Sequence, residues 1–190
     1  MIIGITGYAG SGKDTVGRYL VKHYKYKQYA FADPIKEGIM KMFLMTTDQL
    51  WGERKNMIDE RYGISPRQLL QYIGTDMAQL ELPKNYPFFD ATIGRNLWSK
   101  RFEYEKEKNP NVNYVITDLR FPHEEEMIRR NEGIIFRVNR DSVVPKEPVH
   151  ESESYVFTMT ADYEIDNNGS FEDLENLIND IMIDIEGVRK

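Results

Sequence analysis

The sequence predicts an α/β protein of three layers, a mainly parallel five-stranded sheet with helices on both faces. Three observations predict it. Short apolar runs alternate with segments of helical periodicity, the pattern of parallel strands joined by crossover helices. The first apolar run passes straight through a glycine-rich turn into a helical segment. At 190 residues, 41% of them hydrophobic, the chain can bury such a sheet in one domain.

Taken in order, Ile2 to Thr6 reads as a strand, Thr15 to Tyr24 as the helix after the glycine turn, and Tyr26 to Phe31 as a second strand. Asp33-Pro34 opens a helix that runs through Ile39, Met40 and Phe43. An Asp side chain can cap free backbone N–H groups there, and proline suits a first turn that needs no N–H. Residues 46–63, polar and mixed, read as a mobile excursion. Ser65-Pro66-Arg67-Gln68 opens the next helix, with Ser65 as cap and Gln68 closing the box. Leu69, Leu70 and Ile73 supply its buried side and Gly74 its end.

Arg95 to Glu105 reads as a helix before the turn at Asn109-Pro110-Asn111. Tyr114 to Thr117 is a strand that runs into Asp118. Pro122 to Arg130 is a helix whose acidic first turns favour the helix dipole. Ile134 to Val138 is a strand, 141–155 a polar loop interrupted by proline, and Tyr163 to Ile165 the last strand. After the turn at Asn167-Asn168-Gly169, Ser170 caps a final helix on which Leu174, Leu177, Ile178, Ile181 and Ile185 recur at helical spacing. With no internal repeat and no clean linker, residues 1–190 read as one domain. A helical region at about 34–100 and a lid-like region at about 120–155 are its excursions.

Composition excludes several classes. A net charge of −6 does not suit a nucleic-acid binder, whose phosphate contacts need concentrated Lys and Arg. The absence of Cys excludes disulfide scaffolds, thiol catalysis, Cys-ligated zinc and iron–sulfur clusters. No apolar run is long enough for a membrane span, and the N-terminus lacks the features of a signal peptide, so a cytoplasmic protein is expected. Charge is uneven: residues 1–75 hold 11 Lys/Arg against 7 Asp/Glu, whereas residues 151–190 hold 2 against 11. The basic part is where an anionic ligand is expected, and the acidic tail reads as a solvated helix face.

The sharpest motif is Gly7-Tyr8-Ala9-Gly10-Ser11-Gly12-Lys13-Asp14-Thr15, between a strand and a helix. It matches GxxxxGK, the P-loop pattern. Glycines let successive backbone N–H groups wrap a phosphate, the helix N-terminus adds positive potential, and Lys13 reaches the transferring phosphoryl group. Asp14 stands where a Ser or Thr usually meets the metal, with a hydroxyl one residue on. Thr15 is therefore favoured as the contact to Mg²⁺, directly or through water, while Asp14 lies near the metal's water shell or holds the loop. Asp118, ending an apolar strand, is placed like the acid that holds hydrated Mg²⁺ beside phosphates, or is an ordinary turn residue. Arg120 follows on the same loop and can stabilise charge on a transferred phosphoryl group.

The acceptor side draws on other residues. Asp33 either orients an acceptor oxygen or caps its helix, and Lys36, one turn on, either meets a phosphate or is solvated. Arg67 and Gln71 are four apart and share a helix face, so one can grip a phosphate while the other reads a base or sugar. Thr75 and Asp76 add polar groups, and Trp51 and Trp98 read as core or pocket walls, Trp98 being also an acceptor-contact candidate. Arg137, Arg140 and Lys146 bracket the 141–155 loop as a basic lid would. Glu124, His150 and Glu153 complete the acceptor candidates. A zinc site at His150, Glu151 and Glu153 is set aside, because the chain has only three histidines.

Six segments together resemble the phage deoxynucleoside monophosphate kinase family. They are GYAGSGKDT at 7–15, FADPIKEGI at 31–39, RQLLQYIGTD at 67–76, VITDLRFPHEEE at 115–126, HESE at 150–153 and IDNNGSFEDL at 165–174. The resemblance implies a three-layer P-loop kinase fold similar to adenylate and dephospho-coenzyme A kinases. It implies transfer of a phosphoryl group from ATP, with Mg²⁺, to deoxynucleoside 5′-monophosphates in deoxynucleotide biosynthesis.

Carried over by position, the resemblance implies ATP phosphates at Gly10, Ser11, Gly12, Lys13, Asp14 and Thr15. Acceptor contacts fall near Asp33, Lys36, Arg67, Gln71 and Asp76, and Asp118 and Arg120 act in phosphoryl transfer. Arg137 and Arg140 serve the nucleotide lid, and Asn167 lies where related folds contact adenine. The expected catalytic set is Lys13, Arg120, Asp33 and Arg140. Members are phage-encoded, which implies a host cytoplasm, and can be dimeric; their partners are small nucleotides. Two rivals stand beside this reading. One is a dephospho-coenzyme A or other small-metabolite kinase, with Asp33 as base on a hydroxyl acceptor. The other is a nucleotide-dependent switch without catalysis.

Overall fold

The structure is a computed structural model that describes residues 1–86, 93–143, 155–156 and 158–188. It falls into two compact units, Met1–Ala30 with Asn109–Lys190 and Phe31–Lys108. Among the described residues no helix is long and apolar enough to cross a membrane.

The first unit holds the whole sheet. Strands β1 (Ile2–Thr6), β2 (Lys27–Tyr29), β3 (Tyr114–Ile116), β4 (Ile134–Asn139) and β5 (Tyr163–Asp166) lie in the order β2-β3-β1-β4-β5. Every pairing is parallel; Ile2 faces Tyr114 in one ladder of β1, and Thr6 faces Arg137 in the other. Strand β1 is central, which is why it reads as continuous apolar sequence: all five of its residues are buried. On one face Ile3, Ile5, Val115 and Phe136 pack with Val16 and Leu20 of α1 (Lys13–Tyr24). Leu174, Ile178, Ile181 and Ile185 of the last helix, Phe171–Val188, complete that layer. On the other face Gly4 leaves room for Ile128, whose Cγ1 would stand 3.3 Å from an added Cβ. Ile128 belongs to the helix Pro122–Arg130, so helices cover both faces. The last helix is capped as its sequence suggests, Ser170 Oγ accepting the backbone N–H of Asp173. Gly17 lets α1 approach the sheet closely, since a Cβ there would meet Thr117 Cγ2 at 2.4 Å.

Of the span assigned to a lid-like region, 122–139 belongs to the sheet layer and its covering helix. After Asn139, Asp141–Val143 forms one 3₁₀ turn. Lys146, His150, Glu151 and Glu153 lie outside the described residues.

The second unit is helical. Its elements are α2 (Asp33–Phe43), α3 (Thr47–Trp51), α4 (Pro66–Gln71), α5 (Leu82–Asn85) and α6 (Leu97–Lys108). Ile39, Met45, Leu50 and Leu69 form its core, with Ile35, Phe43, Ile64 and Ile73 packed against them. Residues 46–63 are built rather than excursive. Thr46 and Gln49 make a reciprocal capping box at the start of α3. The buried Asp59 carboxylate takes two hydrogen bonds from the Arg61 guanidinium and one of 2.7 Å from Gln49 Nε2. Polar residues there satisfy one another, which composition alone reads as solvation.

Gly74 does not end its helix. The helical backbone runs on as a π-helix over Tyr72–Glu81 and then into α5. The glycine is there for contact: a Cβ would stand 2.8 Å from Ile35 Cδ1 on α2. Its carbonyl accepts from Gln79 Nε2 at 2.9 Å and from Trp98 Nε1 at 2.8 Å. Such side-chain donors compete for the helical ladder and suit the wider π turn.

Candidate active site

The loop after β1 is shaped by glycine. Gly7, Gly10 and Gly12 all have positive φ, at 143°, 83° and 107°, a region costly for other residues. The Ser11 N–H donates to the Tyr8 carbonyl at 3.1 Å, which folds the loop over α1. Lys13 Nζ donates to the carbonyls of Gly7 and Tyr8, both at 2.7 Å, so its ammonium is held over the loop. From the far end of the sheet, Asn167 Nδ2 donates to the Ser11 carbonyl at 2.7 Å. That amide also fills the space a Cβ on Gly12 would need, at 2.3 Å. Ser11 Oγ is buried and, among the described residues, has no hydrogen-bond partner.

Beside the loop lies a cavity of about 350 Å³ lined by Gly7, Tyr8, Ser11, Val138, Asn139, Arg140, Asp141 and Val156. Glycine-rich curvature, a helix N-terminus, a lysine and an unspent hydroxyl fit the polyphosphate of a nucleotide. Thr15 Oγ1, in the first turn of α1, accepts a 3.2 Å bond from Arg18 and keeps lone-pair capacity for a metal or its water. Asp14 is exposed beside it, and Asp118 and Arg120 follow β3 half-buried. A hydroxyl and one carboxylate suit Mg²⁺, which keeps water and takes phosphate oxygens as its other ligands.

Glu124 sits behind this loop. It is 6% exposed, and its Oε2 accepts the backbone N–H groups of Arg120 at 2.7 Å and Phe121 at 2.9 Å. Burial, and then the nearby charge of Asp118, push its carboxyl up to about 8. The carboxyl is thereby committed to the backbone of the segment that carries Arg120.

The two basic residues of β4 and its end part company. Arg140 is exposed and lines the cavity. The Arg137 guanidinium donates to the carbonyls of Val156 and Met159 and to Glu164 Oε1, stapling the chain before β5 onto β4.

In the second unit, Asp33 is the first residue of α2 but does not cap it. Ala32 takes the capping position without a side-chain bond. Asp33 Oδ1 instead accepts from Trp51 Nε1 at 2.9 Å and Lys36 Nζ at 3.1 Å. Two donors, one of them charged, take the carboxylate in place of the backbone amides. Arg67 and Gln71 stand exposed on α4, and Thr75 and Asp76 stand exposed on the π-helix that follows. Trp98 is half-buried with its N–H spent on Gly74.

Sequence reasoning missed the link from Trp51 to Asp33, because 18 residues separate them and no periodicity connects them. It also missed Tyr8, Asn139 and Val156 as cavity walls.

The chain is similar in sequence to named kinases. The profile of the family described as deoxynucleotide monophosphate kinase matches residues 1–53 and 45–178. A protein of Acanthamoeba polyphaga mimivirus named for deoxynucleotide monophosphate kinase is 30% identical over 182 residues, 94% of each chain. The deoxynucleoside-5′-monophosphate kinase of Escherichia phage T5 is 24% identical, covering 93% of this chain and 92% of its own. Among solved structures, a dephospho-CoA kinase from Campylobacter jejuni is 15% identical, covers 100% of this chain and 98% of its own, and has a TM-score of 0.49. With the profile spanning phosphate loop, helical unit and all five strands, the chain belongs to the deoxynucleotide monophosphate kinase family.

Proposed function

We propose that this protein transfers the γ-phosphoryl group of ATP to the phosphate of a deoxynucleoside 5′-monophosphate, releasing ADP and a deoxynucleoside diphosphate. The observation that carries the reading is the phosphate loop: three positive-φ glycines, Lys13 drawn over the loop, and the Asn167 latch on Ser11. The names of the mimivirus and phage T5 relatives supply the acceptor class.

In this reading the backbone N–H groups from Gly10 to Thr15 hold the ATP phosphates. Lys13 and Arg120, with Arg140 from the cavity wall, balance charge on the phosphoryl group in flight. Mg²⁺, when bound near Thr15 and Asp118, neutralises charge on the phosphates. Arg67 holds the acceptor phosphate by its planar fork, Gln71, Thr75 and Asp76 read sugar or base, and Asp33 with Lys36 completes the acceptor end. The bond from the γ-phosphorus to the β,γ-bridging oxygen breaks as one forms to an acceptor phosphate oxygen. No covalent enzyme intermediate is required, so the residues act by position and electrostatics.

The test is ADP release with ATP and Mg²⁺ against a panel of deoxy- and ribonucleoside monophosphates, with dephospho-coenzyme A included. Release that depends on deoxynucleotides is expected. Silence with every monophosphate, while ATP still binds, would overturn the reading.

A further inference from the structure

We propose that Trp51 is a positioning residue of the acceptor end, holding Asp33 and Lys36 in the geometry that receives the monophosphate; the role rests on the kinase reading above. The three side chains close a triangle. Trp51 Nε1 and Lys36 Nζ both donate to Asp33 Oδ1, at 2.9 and 3.1 Å, and Lys36 Nζ lies 5.2 Å from the centroid of the Trp51 ring. The indole therefore meets the carboxylate with its edge and the ammonium with its face, the two polarities an indole offers.

Trp51 is itself well anchored. It ends α3, whose start is fixed by the Thr46–Gln49 box. Its neighbour Leu50 is 1% exposed in the core, and Gln49 is tied to Asp59. The indole is 40% exposed, so its face and edge are open to the side chains beside it and to an approaching ligand.

A lone ion pair three residues apart on a helix is weak and mobile. An acceptor phosphate approaching Lys36 also meets the negative charge of Asp33. By binding Oδ1, the indole N–H steadies that carboxylate and disperses its charge. Oδ2 then stays clear of both donors and can accept a hydrogen bond from a hydroxyl or amino group of the acceptor, while the ammonium keeps donors for phosphate oxygens. Without the indole, the carboxylate is held by Lys36 alone and competes with the phosphate for it.

The experiment compares wild type with Trp51→Phe, which keeps a ring but loses the N–H, and Trp51→Leu, which loses both. Steady-state rates are measured with acceptor and ATP varied in turn. The acceptor KM is expected to rise about three- to tenfold in Trp51→Phe, as for one lost hydrogen bond to a charged group at a half-exposed site. It is expected to rise further in Trp51→Leu, while kcat and the ATP KM stay within about twofold. An activity-independent readout is the Trp51 indole N–H resonance, identified by its loss in Trp51→Phe. It is expected to move in Asp33→Asn while the Trp98 resonance stays.

An unchanged acceptor KM in Trp51→Phe, an equal rise in both KM values, or an indole resonance indifferent to Asp33→Asn would each overturn the role of Trp51. A wild-type protein that releases no ADP with any deoxynucleotide overturns the kinase reading and the role with it. That result is separable from an active wild type with an unaffected variant.

Discussion

The phosphate loop of the first unit and the Asp33 cluster of the second are built from different materials. The loop is made of backbone: positive-φ glycines, carbonyls gripped by Lys13 and Asn167, and a helix N-terminus set by the end of a buried strand. The cluster is made of side chains from separate helices that meet edge to face around one carboxylate. Backbone sites tolerate few substitutions and carry the chemistry common to many phosphate binders. Side-chain sites can be retuned residue by residue, which suits the acceptor role proposed above for the cluster.

The largest expected effect tests the loop. Lys13→Ala should lower kcat at least about a hundredfold, the loss of one preorganised charge at the transferred group, with the fold retained by circular dichroism. A small loss would move phosphoryl stabilisation away from the loop and erase the contrast.

Arg67→Ala should raise the acceptor KM about tenfold to a hundredfold and leave the ATP KM within about twofold, because only the second unit is altered. Equal rises in both would mean that donor and acceptor are not divided between the units.

Two glycines sharpen the comparison at the level of packing. Gly17→Ala sets a methyl 2.4 Å from Thr117 Cγ2, a β-branched side chain with little freedom, and should cost about 1–3 kcal/mol in urea unfolding. Gly74→Ala meets only the tip of Ile35, which can rotate, and should cost less than about 1 kcal/mol. A reversed order would place the less forgiving contact in the helical unit.

The smallest effect concerns pH. Because the buried Glu124 carboxyl is raised from 4.5 to about 8, the folded protein holds a proton that the unfolded chain has lost across that window. Its contribution is therefore fully present below pH 4.5 and fades as pH rises towards 8. Without nucleotide, Glu124→Gln should match the wild-type Tm near pH 4.5 and exceed it by about a few degrees at pH 8. Parallel Tm curves would assign the proton elsewhere.

The same contrast governs what could be read in advance. Strand β1 and the helix Pro122–Arg130 have the predicted bounds, and the other four strands differ from their predicted bounds only at the ends. Buried apolar runs and capping chemistry are local signals. The parallel sheet follows from their alternation. The phosphate loop is legible because its pattern is written in closely spaced glycines, at 7, 10 and 12. The helical unit resisted because its logic is not consecutive. Gly74 looks like a stop until Ile35 is beside it, and Asp33 looks like a cap until Trp51 takes its carboxylate. The polar run 46–63 looks solvated until Gln49, Asp59 and Arg61 are paired. Arg137 has the charge of a lid residue, but its donors face carbonyls that the sequence does not bring near it.

The Asn167 latch ties the glycine loop near the start of the chain to the residue that follows β5. During synthesis β1 emerges first, yet its ladder partners begin at Tyr114 and Ile134, and the partner of the Ser11 carbonyl comes later still. A nascent chain thus carries the glycine loop long before it carries the means to hold its shape. The hydrogen bond that ties the loop to the far side of the sheet is therefore completed only once residue 167 has been made. A chain that stops after β4 has every residue of the P-loop and lacks its fastening.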